Sequence, residues 1–321
     1  MAEIQFRQAI REAIDEEMAR DERVVFFGED VAAAGGVFAV TPGLYEKYGA
    51  DRVFDTPIAE LALAGAAFGS AVCGLRPIIE IMFGDFLTLS MDSLVNQAAK
   101  FWYISNEQGS VPLVVRSAIG AGGRFGAMHS QTPIAWFLGV PGLKIVCPST
   151  VSDAKGLLKA AISDDNPVLF FEHKRLYTLL GAVGEELPPL GKASVVRTGR
   201  DLTIVSAMKS LHDSLDAARI LSERGIEAEV IDLRTLRPLD TETILDSLSR
   251  TNNLLVVEEG PRTGGWSAQV LAEVAEHALS DIENIWRLTT DDTPIPYSPP
   301  LEDAFLPGRE AIVASALARL S

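Results

Sequence analysis

Basic side chains, cysteine and long apolar runs are all scarce in this 321-residue sequence, and each scarcity removes a class of function. Lys and Arg number 28 against 44 Asp and Glu, a net charge of −16. That balance argues against a nucleic-acid partner, because phosphates demand clustered Lys and Arg. Cysteine occurs only as Cys73 and Cys147, both in apolar surroundings, so neither a disulfide framework nor a metal cluster is indicated. No apolar run approaches the ~20 residues that span a bilayer. Residues 1–20 form a charge-rich amphipathic helix pattern, unlike the basic, apolar and small-residue succession of a signal peptide. No membrane partner is expected, and the cytoplasm is the expected location. At 47% hydrophobic content the chain is not disordered, and its length suffices for two domains with separate cores.

What is present is an alternation of helix and strand patterns. Ile4, Ala9, Ile10, Ala13, Ile14 and Met18 recur at helical spacing. Residues 23–27 read as a strand ending in Gly28-Glu29-Asp30. Ligands gather where strands of open α/β sheets end, so Glu29 and Asp30 either border a site or form a solvated turn. A short helix is expected over 42–48. Strands are expected over 78–83, 111–115, 143–147 and 168–172, with helices over 87–104 and, from a start at Thr150, 154–162. Residues 184–191 read as a linker. Beyond it, strands at 202–206, 226–233 and 254–258 alternate with helices at 211–224, 241–249 and 267–278, which implies a second parallel α/β domain. The Pro-rich stretch 291–307 is expected to be extended, and a helix over 309–320 follows.

The chain is organised around Asp55-Thr56-Pro57-Ile58-Ala59-Glu60 and the Ala-, Gly- and Ser-rich run that follows it to Gly74. Thr56 before Pro57 predicts a helix start, a hydroxyl cap and then proline at the first helical position. Glu60 is then a carboxylate in the first turn, where it either complements the helix dipole or serves chemistry. The small side chains of residues 62–71 let another backbone approach closely. Farther on, Gly120 to Gln131 is Gly-rich. It is no dinucleotide fingerprint, since Phe125 stands where the last glycine belongs, and it lacks the Lys-Ser/Thr ending of a Walker loop. The glycines give a mobile or closely packed segment carrying His129, a candidate for proton transfer.

Asp55-Thr56-Pro57-Ile58-Ala59-Glu60, with Gly28-Glu29-Asp30-Val31 before it and His129-Ser130-Gln131 after it, resembles the beta subunit of thiamine-dependent 2-oxo acid dehydrogenases. These are the first components of pyruvate, branched-chain 2-oxo acid and acetoin dehydrogenase complexes. The resemblance runs from about residue 4 to the C-terminus. It implies an α/β fold of two parallel-sheet domains: a transketolase-like pyrimidine-binding domain over residues 1–185 and a transketolase C-terminal-like domain over 195–321. It also implies thiamine diphosphate, with Glu60 as the carboxyl at N1′ of the aminopyrimidine, favouring the imino tautomer that activates the thiazolium C2. Burial of Glu60 would favour the protonated form that this role needs.

By the same resemblance Phe86 packs on the aminopyrimidine, Glu29 borders the cofactor, and His129 serves the donor or the acyl acceptor. A structural K⁺ is implied on the backbone carbonyls of Leu113, Ala161, Ile162, Asp164 and Asn166. The Gly-Asp-Gly motif that holds Mg²⁺ and the diphosphate is missing, since Gly84-Asp85-Phe86 lacks the second glycine. The resemblance therefore implies an alpha subunit that supplies this half in an α2β2 tetramer, with residues 62–71 as a beta–beta contact. A lipoyl acyltransferase core is the further partner and a small 2-oxo acid the substrate, pyruvate first. Glu80 to Phe86 and Asn96 to Phe101 also resemble acetoin dehydrogenase. A reading of another class, a noncatalytic binding subunit with Glu60 as a helix-end charge, stays open at this point.

Overall fold

In the computed structural model, which describes residues 3–184 and 187–320, the alternation resolves into two mainly parallel sheets. The first has the strand order Thr235–Arg237, Lys144–Val146, Val168–His173, Val114–Ile119, Arg76–Ile81, Val24–Gly28, Val53–Asp55. Neighbours run parallel throughout, except that Thr235–Arg237 lies antiparallel on Lys144–Val146. Val114–Ile119 and Val168–His173 are buried along their whole length, as expected of central parallel strands covered on both faces. The second sheet runs Asn284–Thr290, Asn253–Pro261, Leu202–Ser206, Ala228–Asp232, Ser194–Arg197, and only the last strand is antiparallel. The expected fold, α/β with two parallel-sheet domains, is the fold observed.

Helical periodicity does its expected work on the first helix, Phe6–Arg20. Phe6, Ala9, Ile10, Ala13, Ile14 and Met18 are buried, and the helix packs along Val151–Ser163. Full burial of each large aliphatic side chain contributes roughly 1.5–3 kcal/mol. Lys155 and Lys159 of the second helix reach Glu12 and Glu16 of the first at 2.7–2.8 Å. Ile4 belongs instead to a short strand, Glu3–Gln5, paired with Leu180–Ala182. No helix among the described residues is long and apolar enough to cross a membrane.

Several elements differ from the sequence expectation. The central helix is Glu60–Val72, three residues later than a cap at Thr56 and a start at Pro57 suggest. The amide of Thr56 bonds the Gly28 carbonyl at 2.8 Å, which carries strand-like pairing one residue past Val53–Asp55, and its hydroxyl caps nothing. Gly74, at φ +99°, follows the helix end as expected. The single helix expected over 87–104 is a 3₁₀ turn, Gly84–Ser90, then a π-helical stretch, Asp92–Ala98, and then an α-helical turn, Ala99–Ile104. The stretch 291–307 is not wholly extended, because Pro299–Phe305 is helical, with two prolines at its start. The strands Thr235–Arg237 and Asn284–Thr290 have no counterpart in the sequence reading. Glu185 and Glu186 of the linker, and Met1, lie outside the described residues.

Candidate active site

The chain passes from Val24–Gly28 outward to Val53–Asp55 and then returns to Arg76–Ile81 on the other side of the first strand. That reversal creates a crevice at the carboxyl ends of the strands, the usual ligand position in an open α/β sheet. Glu29 follows the first of these strands and Glu60 opens the helix after the second. Both are 6% exposed. Glu29 accepts a hydrogen bond from the Ala59 amide, which brings the two acidic side chains together. Burial, and then the Glu60 and Asp30 carboxylates, raise Glu29 above the usual carboxylate range. The Glu60 carbonyl accepts from Ser90 Oγ at 3.0 Å, which fixes the helix start on the 3₁₀ turn Gly84–Ser90.

That same turn carries Phe86. Its ring meets the His129 imidazole edge-on at 5.3 Å, while Phe83 meets the imidazole at 4.7 Å. His129 and Phe86, 43 residues apart, are thus in contact. Asp85 accepts from the amide and side chain of Gln131 at 3.3 and 2.8 Å, so the Gly-Asp pair serves the His129 loop. Among the described residues, no group of three or more His, Cys, Asp or Glu side chains is arranged to hold a metal.

The loop carrying His129 is closely packed at its base. Gly120 has φ +92°, and a Cβ there would lie 2.2 Å from His173 Nε2, so only glycine fits. Glu259 and Glu302, both from the second half of the chain, accept from three loop amides: Glu259 from Ala121 at 2.6 Å, and Glu302 from Gly122 at 2.9 Å and Arg124 at 3.3 Å. Burial disfavours the charge on Glu259, but His173, the Ala121 amide and Lys174 outweigh it and hold this carboxyl below its usual range. Glu259 also meets His173 Nε2 at 2.9 Å.

Sequence reading missed Glu259, Glu302 and Lys174, whose partners lie far away along the chain. It also missed a buried charge ladder across three adjacent strands. Arg116 pairs with Glu172 at 2.7 and 2.8 Å and with Glu80 at 2.6 Å, and Tyr177 donates to Glu172 at 2.9 Å. The signal was available: three charged residues inside otherwise apolar strands are affordable only when paired. Burial raises Glu172, against the pull of Arg116.

The five residues expected to bind a monovalent cation lie at the opposite edge of the sheet, where strands begin. Arg76 donates to the carbonyls of Ile162 and Asp164 at 2.9 and 2.7 Å. Ala161 accepts from the Asp164 amide at 3.2 Å, and Leu113 accepts from Val168 at 2.8 Å. The Asn166 amide and side chain donate to the Asp164 carboxylate at 2.9 and 3.0 Å. Each carbonyl that accepts one bond keeps a second lone pair, so the donor set is compatible with a cation.

Residues 2–178 match the model described as "Transketolase, pyrimidine binding domain" and residues 191–312 that described as "Transketolase, C-terminal domain". The acetoin:2,6-dichlorophenolindophenol oxidoreductase subunit beta of Cupriavidus necator is 45% identical, covering 98% of this chain and 96% of that protein. The 2-oxoisovalerate dehydrogenase subunit beta of Bacillus subtilis is 45% identical, covering 98% of each. The mitochondrial pyruvate dehydrogenase E1 component subunit beta of Dictyostelium discoideum is 44% identical, covering 98% of this chain and 90% of that protein. Among solved structures, a split-gene transketolase in an inactive beta4 tetramer superposes with a TM-score of 0.83 at 21% identity, covering 99% of this chain and 98% of that one, a likeness of fold. With both domain models matched in order and full-length relatives this similar, the chain belongs to the transketolase-like family of 2-oxo acid and acetoin dehydrogenase E1 beta subunits.

Proposed function

We propose that this chain is the beta subunit of a pyruvate dehydrogenase first component, acting with an alpha subunit in an α2β2 tetramer and passing its acyl group to a lipoyl acyltransferase core in the cytoplasm. The observation that carries the proposal is the paired, buried carboxyls of Glu60 and Glu29 at the strand-end crevice, beside the aromatic wall of Phe83 and Phe86. Four buried polar atoms at these strand ends and on the His129 loop have no partner: Glu29 Oε1, Thr56 Oγ1, Asp85 Oδ2 and Ser130 Oγ. Unpartnered buried atoms are costly, and their gathering here fits a polar ligand.

Thiamine diphosphate, when bound, supplies the electron sink for decarboxylation. Glu60 would hold a proton at N1′ of its aminopyrimidine, with Glu29 bordering it in the same crevice. Phe86 would present its ring to the aminopyrimidine. His129 would orient the donor or move a proton to the acceptor sulfur. Mg²⁺ and the diphosphate fall to the alpha subunit. A structural K⁺ on Leu113, Ala161, Ile162, Asp164 and Asn166 would stiffen the far sheet edge. Exposed apolar side chains support the need for partners: Ile58, Leu61, Leu89, Trp102, Tyr103 and Ile104. The small-residue face of Glu60–Val72, with Ala62, Ala66 and Gly69 exposed, would take the beta–beta contact.

A second reading, with acetoin as donor, is favoured by the 45% identity to the Cupriavidus protein, equal to that of the 2-oxoisovalerate enzyme. The test is the alpha–beta complex assayed with pyruvate, branched-chain 2-oxo acids and acetoin. Pyruvate is expected to give the highest kcat/KM. Turnover of acetoin alone overturns the pyruvate assignment, and turnover of none overturns the catalytic one.

A further inference from the structure

Lys174 takes no part in the chemistry above, yet it touches the loop that does. It follows directly on the strand Val168–His173 and is half-buried. Its ammonium donates to the carbonyl of His129. It also lies 5.3 Å from the ring centroid of Phe83 and 5.4 Å from that of Phe125, positions that favour a cation. Those two rings are 6.1 Å apart, and Phe83 is the same ring that meets the His129 imidazole. The backbone beneath Lys174 is well anchored. His173 is tied to Glu259 through Nε2 and accepts the Arg175 amide at Nδ1, 3.1 Å away.

The charged groups around Lys174 come from every neighbouring element. Asp85 sits on the 3₁₀ turn, Glu259 at the end of Asn253–Pro261 and Glu302 on the helix Pro299–Phe305. His129 and Arg124 belong to the loop, and Arg124 is occupied by Glu302 and Asp303. His173 and Arg175 flank Lys174 in sequence. Burial lowers the ammonium to about 8, against the pull of Asp85, Glu259 and Glu302. The charge is therefore retained at neutral pH in surroundings that oppose it.

Resting on the reading of His129 as the residue that meets donor or acceptor, we propose that Lys174 is its positioning residue. The ammonium, gripped by Phe83 and Phe125, holds the His129 carbonyl and so keeps the imidazole against Phe83 and Phe86. An ammonium seated only to balance nearby carboxylates would have no such effect on the loop.

The test uses Lys174→Met, which keeps length and apolar volume, and Lys174→Gln, which keeps a donor without the charge. Hydrogen–deuterium exchange is read on the peptide covering residues 125–131, with helix Val151–Ser163 as internal control. Losing a hydrogen bond from a charged donor should speed exchange in that peptide by roughly tenfold or more in Lys174→Met. The melting temperature should hold or rise, because a disfavoured buried charge is gone. Lys174→Gln should recover part of the protection. In the alpha–beta complex, Lys174→Met should slow acylation of a lipoyl domain by a similar factor, while hydrogen–deuterium exchange at the cofactor C2 stays near wild type. Wild-type exchange at 125–131 in Lys174→Met overturns the proposal. So does faster exchange spread equally over the control helix, or a parallel fall in C2 exchange. The loop measurement needs no substrate, so it stands apart from whether the donor is pyruvate.

Discussion

Two buried carboxyls share one crevice at Glu60 and Glu29, and burial, with the neighbouring carboxylates, raises Glu29 above its usual range. Glu60→Gln preserves size and hydrogen bonding but removes the exchangeable acid. Hydrogen–deuterium exchange at the cofactor C2 in the alpha–beta complex should fall by ~10²–10⁴-fold, with assembly intact. An exchange rate equal to wild type would reduce Glu60 to a helix-end charge. Lys174 gives a pH signature of the opposite sign to a salt-bridged lysine, whose folded pKa is raised. Its folded form titrates at about 8 against an ordinary 10.5, so between those values the unfolded chain holds a proton that the folded chain has lost. Stability from this residue therefore rises with pH across that window and is lost as pH falls through about 8. Urea midpoints at pH 7.5 and 9.5 should diverge between wild type and Lys174→Met in that direction. The strand-end position of Glu29 was legible because the sheet rule acts locally, whereas Phe86 was singled out by the family resemblance. Glu302 was not legible, because its loop partner Gly122 lies 180 residues away.

At the scale of elements, periodic segments such as Phe6–Arg20 were read correctly, the stretch 87–104 was not, and starts were read less well. Leu202–Ser206 was expected to the residue, because its β-branched Thr203, Ile204 and Val205 favour a strand. The start of Glu60–Val72 was missed because Thr56 is claimed by Gly28 of the neighbouring strand, a tertiary pairing that overrides its capping preference. The helix Pro299–Phe305 hid behind its prolines, yet it delivers Glu302 fully buried to the amides of Gly122 and Arg124. Glu302→Ala strands those donors and should destabilise the fold by about 1–3 kcal/mol, measured by urea unfolding. Amide exchange over residues 121–124 should rise with it. An unaltered exchange pattern there would show that the loop base is held by Glu259 alone.

For the whole molecule, the proposed division of the cofactor site between two subunits has a thermodynamic consequence. No diphosphate motif is present, and no metal-holding cluster exists among the described residues. The purified chain alone should bind Mg²⁺–thiamine diphosphate only weakly. Calorimetry should detect no micromolar binding until the alpha subunit is added, and tight binding by the single chain would refute the division of labour. The substrate is the feature least legible at this scale. Relatives naming acetoin, 2-oxoisovalerate and pyruvate enzymes stand at 44–45% identity, so identity does not separate them.

The strand Thr235–Arg237 closes the edge of a sheet built almost wholly from residues before 174, and that ties the chain's birth to its later half. During synthesis, Lys144–Val146 emerges with its outer backbone groups unpaired and waits some ninety residues for a partner. An uncovered parallel edge recruits other chains. A nascent chain halted between residues 190 and 230 is thus a species for chaperones to shield. Chains released there should be recovered in aggregates, whereas those reaching residue 237 and beyond should become progressively resistant to protease.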